Sequence, residues 1–209
     1  MKKIRLKAMA KINLGLDVLG KREDGYHEVR MIMQTIRMYD ILDIRKTRRP
    51  GIVLTTNLPF IPTDQRNLVY KAAQMLMEEF DVEEGLSIKL RKFIPVAAGM
   101  AGGSSDAAAA FVGVNRMFHL GLTEEQLMER AVKVGADVPY CIMRGTALAE
   151  GIGEKLTRLP EVPKCYVLIG KPGINVSTKT AYENLNLEGI GKHPDIDGML
   201  LDIENQDIY

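Results

Sequence analysis

A run of small residues between Pro95 and Ser105 stands immediately before a predicted helix. Glycine and alanine side chains leave the backbone N–H groups open to a ligand, and the N-terminus of a helix adds partial positive charge. This combination is typical of a phosphate site. The two common glycine-rich motifs, G-x-x-x-x-G-K-[ST] and G-x-G-x-x-G, are both absent. A tight strand-to-helix turn, followed by alanines that pack in a core, is therefore an equally good interpretation of the shape.

Three polar side chains stand at the start of this predicted helix. Ser104 and Ser105 can cap its N-terminus through their hydroxyl groups. The same hydroxyls suit a position near a metal ion and nucleotide phosphates, and the sequence does not choose between the two serines. We expect Asp106 to point outward, because a carboxylate turned towards the ligand would repel phosphate.

Lys11 lies on a predicted strand, because residues 4–19 alternate between apolar and polar side chains. Lys11 falls on the same face as Met9 and Asn13, where a lysine is usually solvated. The opposite, buried face is expected to contain Ala8, Ala10, Ile12, Leu14, Leu16 and Val18.

Three further candidates occur in predicted turns. Asp137 stands between a glycine and a proline, where an aspartate is most often a solvated turn residue. Tyr26 and His27 directly follow an Asp-Gly turn, where a histidine is usually just exposed. Residue type and position alone therefore assign no chemistry to these three side chains.

The hydrophobic pattern predicts the elements that carry these residues. Strands are expected over residues 29–44, 86–95 and 164–173, with strand and turn character over 136–154. Helices are expected over residues 64–80, from about 104 to 118, and near 178–185. Another helix is expected to begin at a capping box formed by Thr123 and Gln126.

The composition is that of a globular protein with balanced charge. The chain has 209 residues, of which 46% are hydrophobic, and its formal net charge is +1. This balance argues against a general nucleic-acid binder. No apolar run reaches the roughly 18 residues that a membrane helix requires, and charged residues interrupt the N-terminal run that would resemble a signal peptide. The two cysteines, Cys141 and Cys165, lack metal-ligand spacing and favour the reducing cytoplasm.

Four segments resemble motifs of one enzyme family. "PVAAGMAGGSSDAA", at residues 95–108, resembles the second, ATP-binding motif of the GHMP kinases, and "AKINLGL", at residues 10–16, resembles their first motif. "REDGYHEV" and "GADVPYC" resemble hallmarks of the branch whose substrate is cytidine diphosphate methylerythritol. The resemblance implies ATP-dependent phosphorylation of the 2-hydroxyl of that small molecule in non-mevalonate isoprenoid biosynthesis, with Mg²⁺ as the accompanying ion. It implies neither a nucleic-acid nor a membrane partner.

The same resemblance implies an α+β protein with the GHMP kinase fold. A ribosomal-protein-S5-like N-terminal domain would occupy residues 1–155, and part of a ferredoxin-like C-terminal domain would occupy residues 156–209. The third motif of the family, a Gly-Ser-Gly-rich loop, has no counterpart in this sequence. We therefore expect the C-terminal domain to be incomplete. The oligomeric state is not indicated.

The resemblance also implies the roles of the catalytic and nucleotide-binding residues. Asp137 would accept the proton of the substrate hydroxyl, and the ammonium of Lys11 would offset charge on the transferring phosphoryl group. No side chain is assigned as a metal ligand. The residues expected to bind ATP are Pro95, Val96, Ala97, Ala98, Gly99, Met100, Ala101, Gly102, Gly103, Ser104 and Ser105.

The implied substrate site contains five residues. Tyr26 would stack on cytosine, His27 would hydrogen-bond the edge of the base, and Tyr182 would close its other side. Asn13 would bind the methylerythritol hydroxyls, and Thr178 would contact the substrate. Stacking of a base on an aromatic ring contributes about 1–3 kcal/mol, so such a clamp would supply much of the selectivity for cytidine.

Three alternatives remain open. Another GHMP kinase, acting on homoserine, mevalonate or a sugar, would not need the Tyr26-His27 pair. A nucleotide-binding homologue without turnover would not need Lys11 and Asp137. An RNA-binding module is the third alternative, and the small net charge argues against it.

Overall fold

The computed structural model describes residues 2–173, 178–187, 189 and 191–207. The chain forms two compact units whose segments alternate along the sequence. The first unit contains Met1–Lys11, Ile36–Pro95 and Ala101–Met143, and the second contains Ile12–Thr35, Val96–Met100 and Arg144–Tyr209. The expected division into domains of residues 1–155 and 156–209 stays a prediction.

Strands and helices both contribute to the fold, which is α+β as expected. The strands are β1 (Lys3–Lys21), β2 (His27–Thr47), β3 (Ile52–Thr56), β4 (Gly85–Arg91), β5 (Thr146–Gly151) and β6 (Lys155–Leu159). The helices are α1 (Leu68–Glu79), α2 (Gly102–Phe118), α3 (Glu124–Ala131), α4 (Val138–Met143), α5 (Thr178–Glu183) and α6 (Ile196–Asn205).

In the first unit, helices pack against one face of a sheet. The second half of β2 pairs antiparallel with β4, from Ile41↔Arg91 to Thr47↔Gly85, and β3 pairs parallel with β4. Alternate residues of β2 and β4 are completely or almost completely buried, and α1 packs against α2. Gly113 of α2 allows a close approach to the sheet, because a Cβ there would lie 2.4 Å from Cδ1 of Ile44.

In the second unit, the first half of β2 pairs antiparallel with β5, and β5 pairs antiparallel with β6. Helix α6 covers this sheet through a small apolar cluster that joins Ile32 and Leu148 to Ile196 and Ile203. The sequence pattern did not predict α6. Its signals were an N-cap aspartate, Asp195, and apolar residues at helical spacing.

Two predicted elements are wrong. Val138–Met143, expected to have strand and turn character, form helix α4, in which every residue is buried. A short apolar run does not distinguish a strand from a buried helix, and the packing of α4 against α2 and α3 decides for the helix. Residues 164–173 form no strand: Tyr166 and Leu168 are fully exposed, and no described strand pairs with them. Their composition favours an extended backbone but supplies no neighbouring strand.

The predicted faces of β1 are correct only in part. Ala8, Ala10 and Val18 are buried as expected, whereas Leu14 and Leu16 are each 39% exposed. Lys11, on the face expected to be solvated, is instead only 5% exposed, and Asp17 of the same strand is 7% exposed. No helix in the described part of the chain is long and apolar enough to cross a membrane.

Candidate active site

The glycine-rich segment leads directly into helix α2, which begins at Gly102 rather than near Ser104. Ala101 precedes the helix with a left-handed backbone (φ 51°), and Ala97 has a similar conformation (φ 53°). A left-handed L-residue costs about 1–2 kcal/mol, so two of them in one short loop store strain of the kind found at functional sites. The first N–H groups of α2 have no intrahelical acceptor and can donate to an anion.

The glycines at the start of α2 differ in the space around them. A Cβ on Gly102 would lie 3.2 Å from both Cγ2 of Ile94 and Nζ of Lys92. A Cβ on Gly103 would meet only Leu68 at 3.8 Å, which is an ordinary contact. Gly103 is also exposed. Packing therefore explains the glycine at position 102, whereas at position 103 nothing in the packing requires one.

Neither serine caps helix α2, whose N-cap is Ala101, so the alternative of a capping role does not hold. The Ser105 hydroxyl donates to the backbone carbonyl of Met9 at 2.5 Å and lies 3.3 Å from Sγ of Cys141. It therefore ties α2 to β1 and α4. The Ser104 side chain is half-buried, and its hydroxyl makes no hydrogen bond within the described residues.

Lys11 and Asp137 lie together in the first unit. Nζ of Lys11 is 4.0 Å from Oδ1 of Asp137, with the lysine side chain 6% exposed and the aspartate side chain 36% exposed. Asp137 immediately precedes α4, and its backbone carbonyl accepts the N–H of Cys141. A buried ammonium thus faces a carboxylate that solvent, or a substrate hydroxyl, can reach.

An aromatic pair lies in the second unit. The rings of His27 and Tyr182 stack with their centroids 4.9 Å apart and their planes 25° from parallel. Tyr26 is 58% exposed, and its backbone N–H donates to Oδ1 of Asp24 in the preceding turn. His27, the first residue of β2, and Tyr182 of α5 are far apart in the sequence, and the fold of the second unit brings their rings into contact.

The two remaining substrate candidates are described only by their positions. Asn13 is half-buried on β1. Thr178 is the first residue of helix α5, within a part of the chain where only the backbone is described.

Comparisons with known proteins identify the family. A model of the GHMP kinases N terminal domain matches residues 67–145. The 4-diphosphocytidyl-2-C-methyl-D-erythritol kinase of Lachnospira eligens is 55% identical over 208 residues, which are 100% of this chain and 72% of that protein. The enzyme of the same name from Lachnoclostridium phytofermentans is 58% identical over 99% of this chain and 71% of its own length. The chain belongs to the GHMP kinases.

Solved structures support this assignment. A crystal structure of 4-(cytidine 5'-diphospho)-2C-methyl-D-erythritol kinase is similar, with a TM-score of 0.79 and 30% sequence identity. The match covers 97% of this chain and 72% of the chain in that crystal structure. Homoserine kinase from Cytophaga hutchinsonii covers 99% of the chain and 69% of its own, with a TM-score of 0.70 and 17% identity. The second likeness shows the fold alone.

Asp106 points inward, so the expectation for this residue is wrong. It is 2% exposed, and Oδ2 accepts a hydrogen bond from Nζ of Lys92 at 2.6 Å. Burial raises the pKa of the Asp106 carboxyl well above its usual value; Lys92 opposes this rise, and the neighbouring Asp40 adds to it. A buried cation therefore holds the Asp106 side chain inside the protein.

Asp40 and Lys92 were not among the predicted residues of this GHMP kinase. Lys92 also donates to Asp40, whose Oδ1 accepts the backbone N–H groups of Phe93 and Ile94 at 2.5 and 2.8 Å. The available signal was a charged residue at the buried positions of two apolar strands, which requires a partner inside the protein.

Proposed function

We propose that this GHMP kinase transfers the γ-phosphoryl group of ATP to the 2-hydroxyl of 4-diphosphocytidyl-2-C-methyl-D-erythritol. The observation that carries the proposal is the Lys11–Asp137 pair, with its 4.0 Å separation. Relatives that bear the name of this activity are more than half identical to the chain over almost its whole length. Phosphoryl transfer depends mainly on positioning and on charge stabilisation, and both can come from these two side chains.

Asp137 acts as the base. Its carboxylate takes the proton of the 2-hydroxyl while that oxygen forms a bond to the γ-phosphorus, and the bridging oxygen leaves with the electron pair as ADP. Lys11 offsets the negative charge that develops on the transferring group. The burial of Lys11 suits this role, because its ammonium interacts more strongly with charge when water is excluded.

The loop at residues 95–101 and the start of α2 bind the ATP phosphates through backbone N–H groups. The absence of bulk at Gly103 and the left-handed backbone at Ala97 and Ala101 support this proposal. Asp106 does not oppose it, because its carboxyl group is held by Lys92.

A Mg²⁺ ion fits the donors near this loop. The described residues contain no group of three or more histidine, cysteine, aspartate and glutamate side chains that could hold a metal. Mg²⁺ accompanying a nucleotide is usually held mainly by phosphate oxygens and water, so few protein ligands are needed. Ser104 is the better candidate ligand, because the hydroxyl of Ser105 already donates to Met9. The ion would neutralise charge on the phosphates.

The cytidine site consists of Tyr26, His27 and Tyr182. The stacked Tyr182 ring fixes the plane of the His27 imidazole, and a ring nitrogen of His27 then hydrogen-bonds the edge of cytosine. The exposed ring of Tyr26 is available for stacking on the base. Asn13 binds the methylerythritol hydroxyls, and Thr178 contacts the substrate. We place the reaction in the cytoplasm, because neither cysteine forms a disulfide within the described residues.

The decisive experiment compares acceptor substrates. ADP formation is measured with 4-diphosphocytidyl-2-C-methyl-D-erythritol, homoserine and mevalonate. The assay uses this chain and the same chain joined to the C-terminal residues of the Lachnospira eligens relative, of which it spans 72%. We expect ATP-dependent phosphorylation of the cytidyl substrate alone. Comparable kcat/KM values for homoserine or mevalonate, or no transfer by either protein, would refute the proposal.

A further inference from the structure

Three charged side chains are buried together in the first unit, outside the catalytic pair. Asp40 is 0% exposed, Lys92 is 8% exposed and Asp106 is 2% exposed. Nζ of Lys92 donates to both carboxylates. We refer to these three residues as the buried charge cluster.

The buried charge cluster fastens the segment that leads into the glycine-rich loop. Asp40 accepts the N–H groups of Phe93 and Ile94, and the Asn57 side chain bonds both the N–H and the carbonyl of Lys92. The backbone just before Pro95 is therefore held at several consecutive groups.

The same cluster fastens the helix that follows the loop. Asp106 lies on the second turn of α2 and bonds to Lys92. The ammonium of Lys92 also lies close to Gly102, the first residue of the helix: a Cβ on Gly102 would be 3.2 Å from Nζ. Lys92, three residues before Pro95, thus connects the segment that enters the loop to the helix that follows it.

Packing alone does not require ions at these positions. Burying charges costs free energy that an ion pair rarely recovers in full, and apolar side chains of similar volume often stabilise a protein as well or better. Oδ1 of Asp106 adds to this cost, because it is buried without a hydrogen-bond partner among the described residues. The buried charge cluster is costly for stability and lies beside the proposed ATP loop. We infer that these charges serve to fix the positions of the backbone segments around them.

We propose that Asp40, Lys92 and Asp106 are positioning residues for the nucleotide, which hold the segment before the loop and the start of α2 at a fixed separation. The backbone N–H groups at the start of α2 are then oriented for phosphate before ATP arrives. This inference rests on the ATP site of the proposed function. A misplacement of about 1 Å can cost on the order of 100-fold in kcat/KM, so a modest loosening of the anchor has a measurable effect.

The sharpest test compares two substitutions at one position. Asp106→Leu keeps the branching at Cγ but removes the acceptor, while the Lys92–Asp40 pair remains intact. Asp106→Asn keeps an acceptor for Lys92. Glu79→Leu is the matched control, since it removes a carboxylate that binds Arg130 and joins α1 to α3 elsewhere in the unit.

The first measurement is hydrogen exchange of the amides at residues 93–106 without nucleotide. We expect exchange about 10-fold faster in Asp106→Leu, and near wild-type rates in Asp106→Asn and Glu79→Leu. Should Asp106→Leu not fold, Asp106→Ala replaces it in the same comparison. Unchanged exchange in the folded variant would overturn the inference and leave the proposed function untouched.

The second measurement is steady-state kinetics of the chain joined to the C-terminal residues of its relative. Asp106→Leu should raise the KM for ATP roughly 10- to 100-fold, with kcat and the KM for the cytidyl substrate within about 3-fold of wild type. Asp106→Asn should restore the KM for ATP. Equal damage by Asn and Leu, or an unchanged KM for ATP in folded Asp106→Leu, contradicts the positioning role. A wild-type protein that binds MgATP but phosphorylates no cytidyl substrate would refute the proposed reaction alone.

Discussion

At the scale of single residues, the Lys11–Asp137 pair allows a direct test of the base. Asp137→Asn keeps the shape of the side chain and removes its ability to accept a proton. We expect kcat to fall about 10²- to 10⁴-fold, with little change in the KM for ATP. Steady-state kinetics provides the measurement. Asp81→Asn is the control, because it neutralises an exposed aspartate whose left-handed backbone asparagine also tolerates. A loss of only a few-fold in Asp137→Asn would assign the base elsewhere.

The aromatic pair is tested at the same scale. Removal of the ring in His27→Ala should raise the KM for the cytidyl substrate by the equivalent of about 1–3 kcal/mol, since an edge of the base loses its partner. Tyr182→Ala should act in the same direction, because its ring stacks on His27 at 4.9 Å. The KM for ATP should stay constant in both variants. Equal changes for the two substrates would exclude a cytidine site at this pair.

The sequence predicted which residues form the candidate site better than it predicted whether each residue is buried and what it contacts. The resemblance named Lys11 and Asp137, and the structure places them 4.0 Å apart. Asp106 was expected to face solvent, and its partner Lys92 lies outside α2, directly after β4. Hydrophobic alternation along one segment contains no information about a charge supplied by another, so the buried charge cluster emerges only from tertiary packing.

At the scale of elements, two of the three glycines of helix α2, Gly103 and Gly113, have different surroundings. Gly103→Val adds bulk where a Cβ meets only Leu68 at 3.8 Å. We therefore expect a folded protein with weakened ATP binding, measured by titration calorimetry. Gly113→Ala should instead destabilise the fold and leave ATP binding unchanged, because the added Cβ would lie 2.4 Å from Cδ1 of Ile44. Overpacking of this kind costs about 1–3 kcal/mol, so the melting temperature should fall while ATP affinity holds. Unchanged ATP affinity in Gly103→Val would remove the loop from the nucleotide site.

The elements that were predicted correctly are those with a complete local signal. Helix α3 has its capping box, in which Thr123 and Gln126 bond each other's backbone N–H groups. Helix α4 has six apolar or weakly polar residues and no periodicity, so its identity depends on the packing of α2 and α3 around it. The segment at residues 164–173 shows the converse case: its local pattern favours a strand, but strand formation requires a partner.

At the scale of the whole molecule, the buried Asp106 makes the free energy of unfolding depend on pH. Its pKa is raised in the folded state above the ordinary value of 3.8, chiefly by burial. Between about pH 3.8 and its folded pKa, the Asp106 carboxyl is therefore more protonated in the folded protein than in the unfolded chain, and its contribution to stability falls as the pH rises through this window. Asparagine does not titrate, so Asp106→Asn should lack this decline.

The measurement is urea unfolding of both proteins from pH 4 to pH 8. The carboxylates whose pKa values are lowered by arginine partners, such as Asp43 and Glu79, have the opposite dependence, but they are common to both proteins and cancel in the difference. We expect Asp106→Asn to gain stability relative to wild type as the pH rises from 4. A difference that is constant across this range would mean that Asp106 titrates alike in the folded and unfolded states. The ammonium of Lys92 would then compensate for the burial of the carboxylates in the titration of Asp106, and the neutral asparagine would offer no advantage that changes with pH.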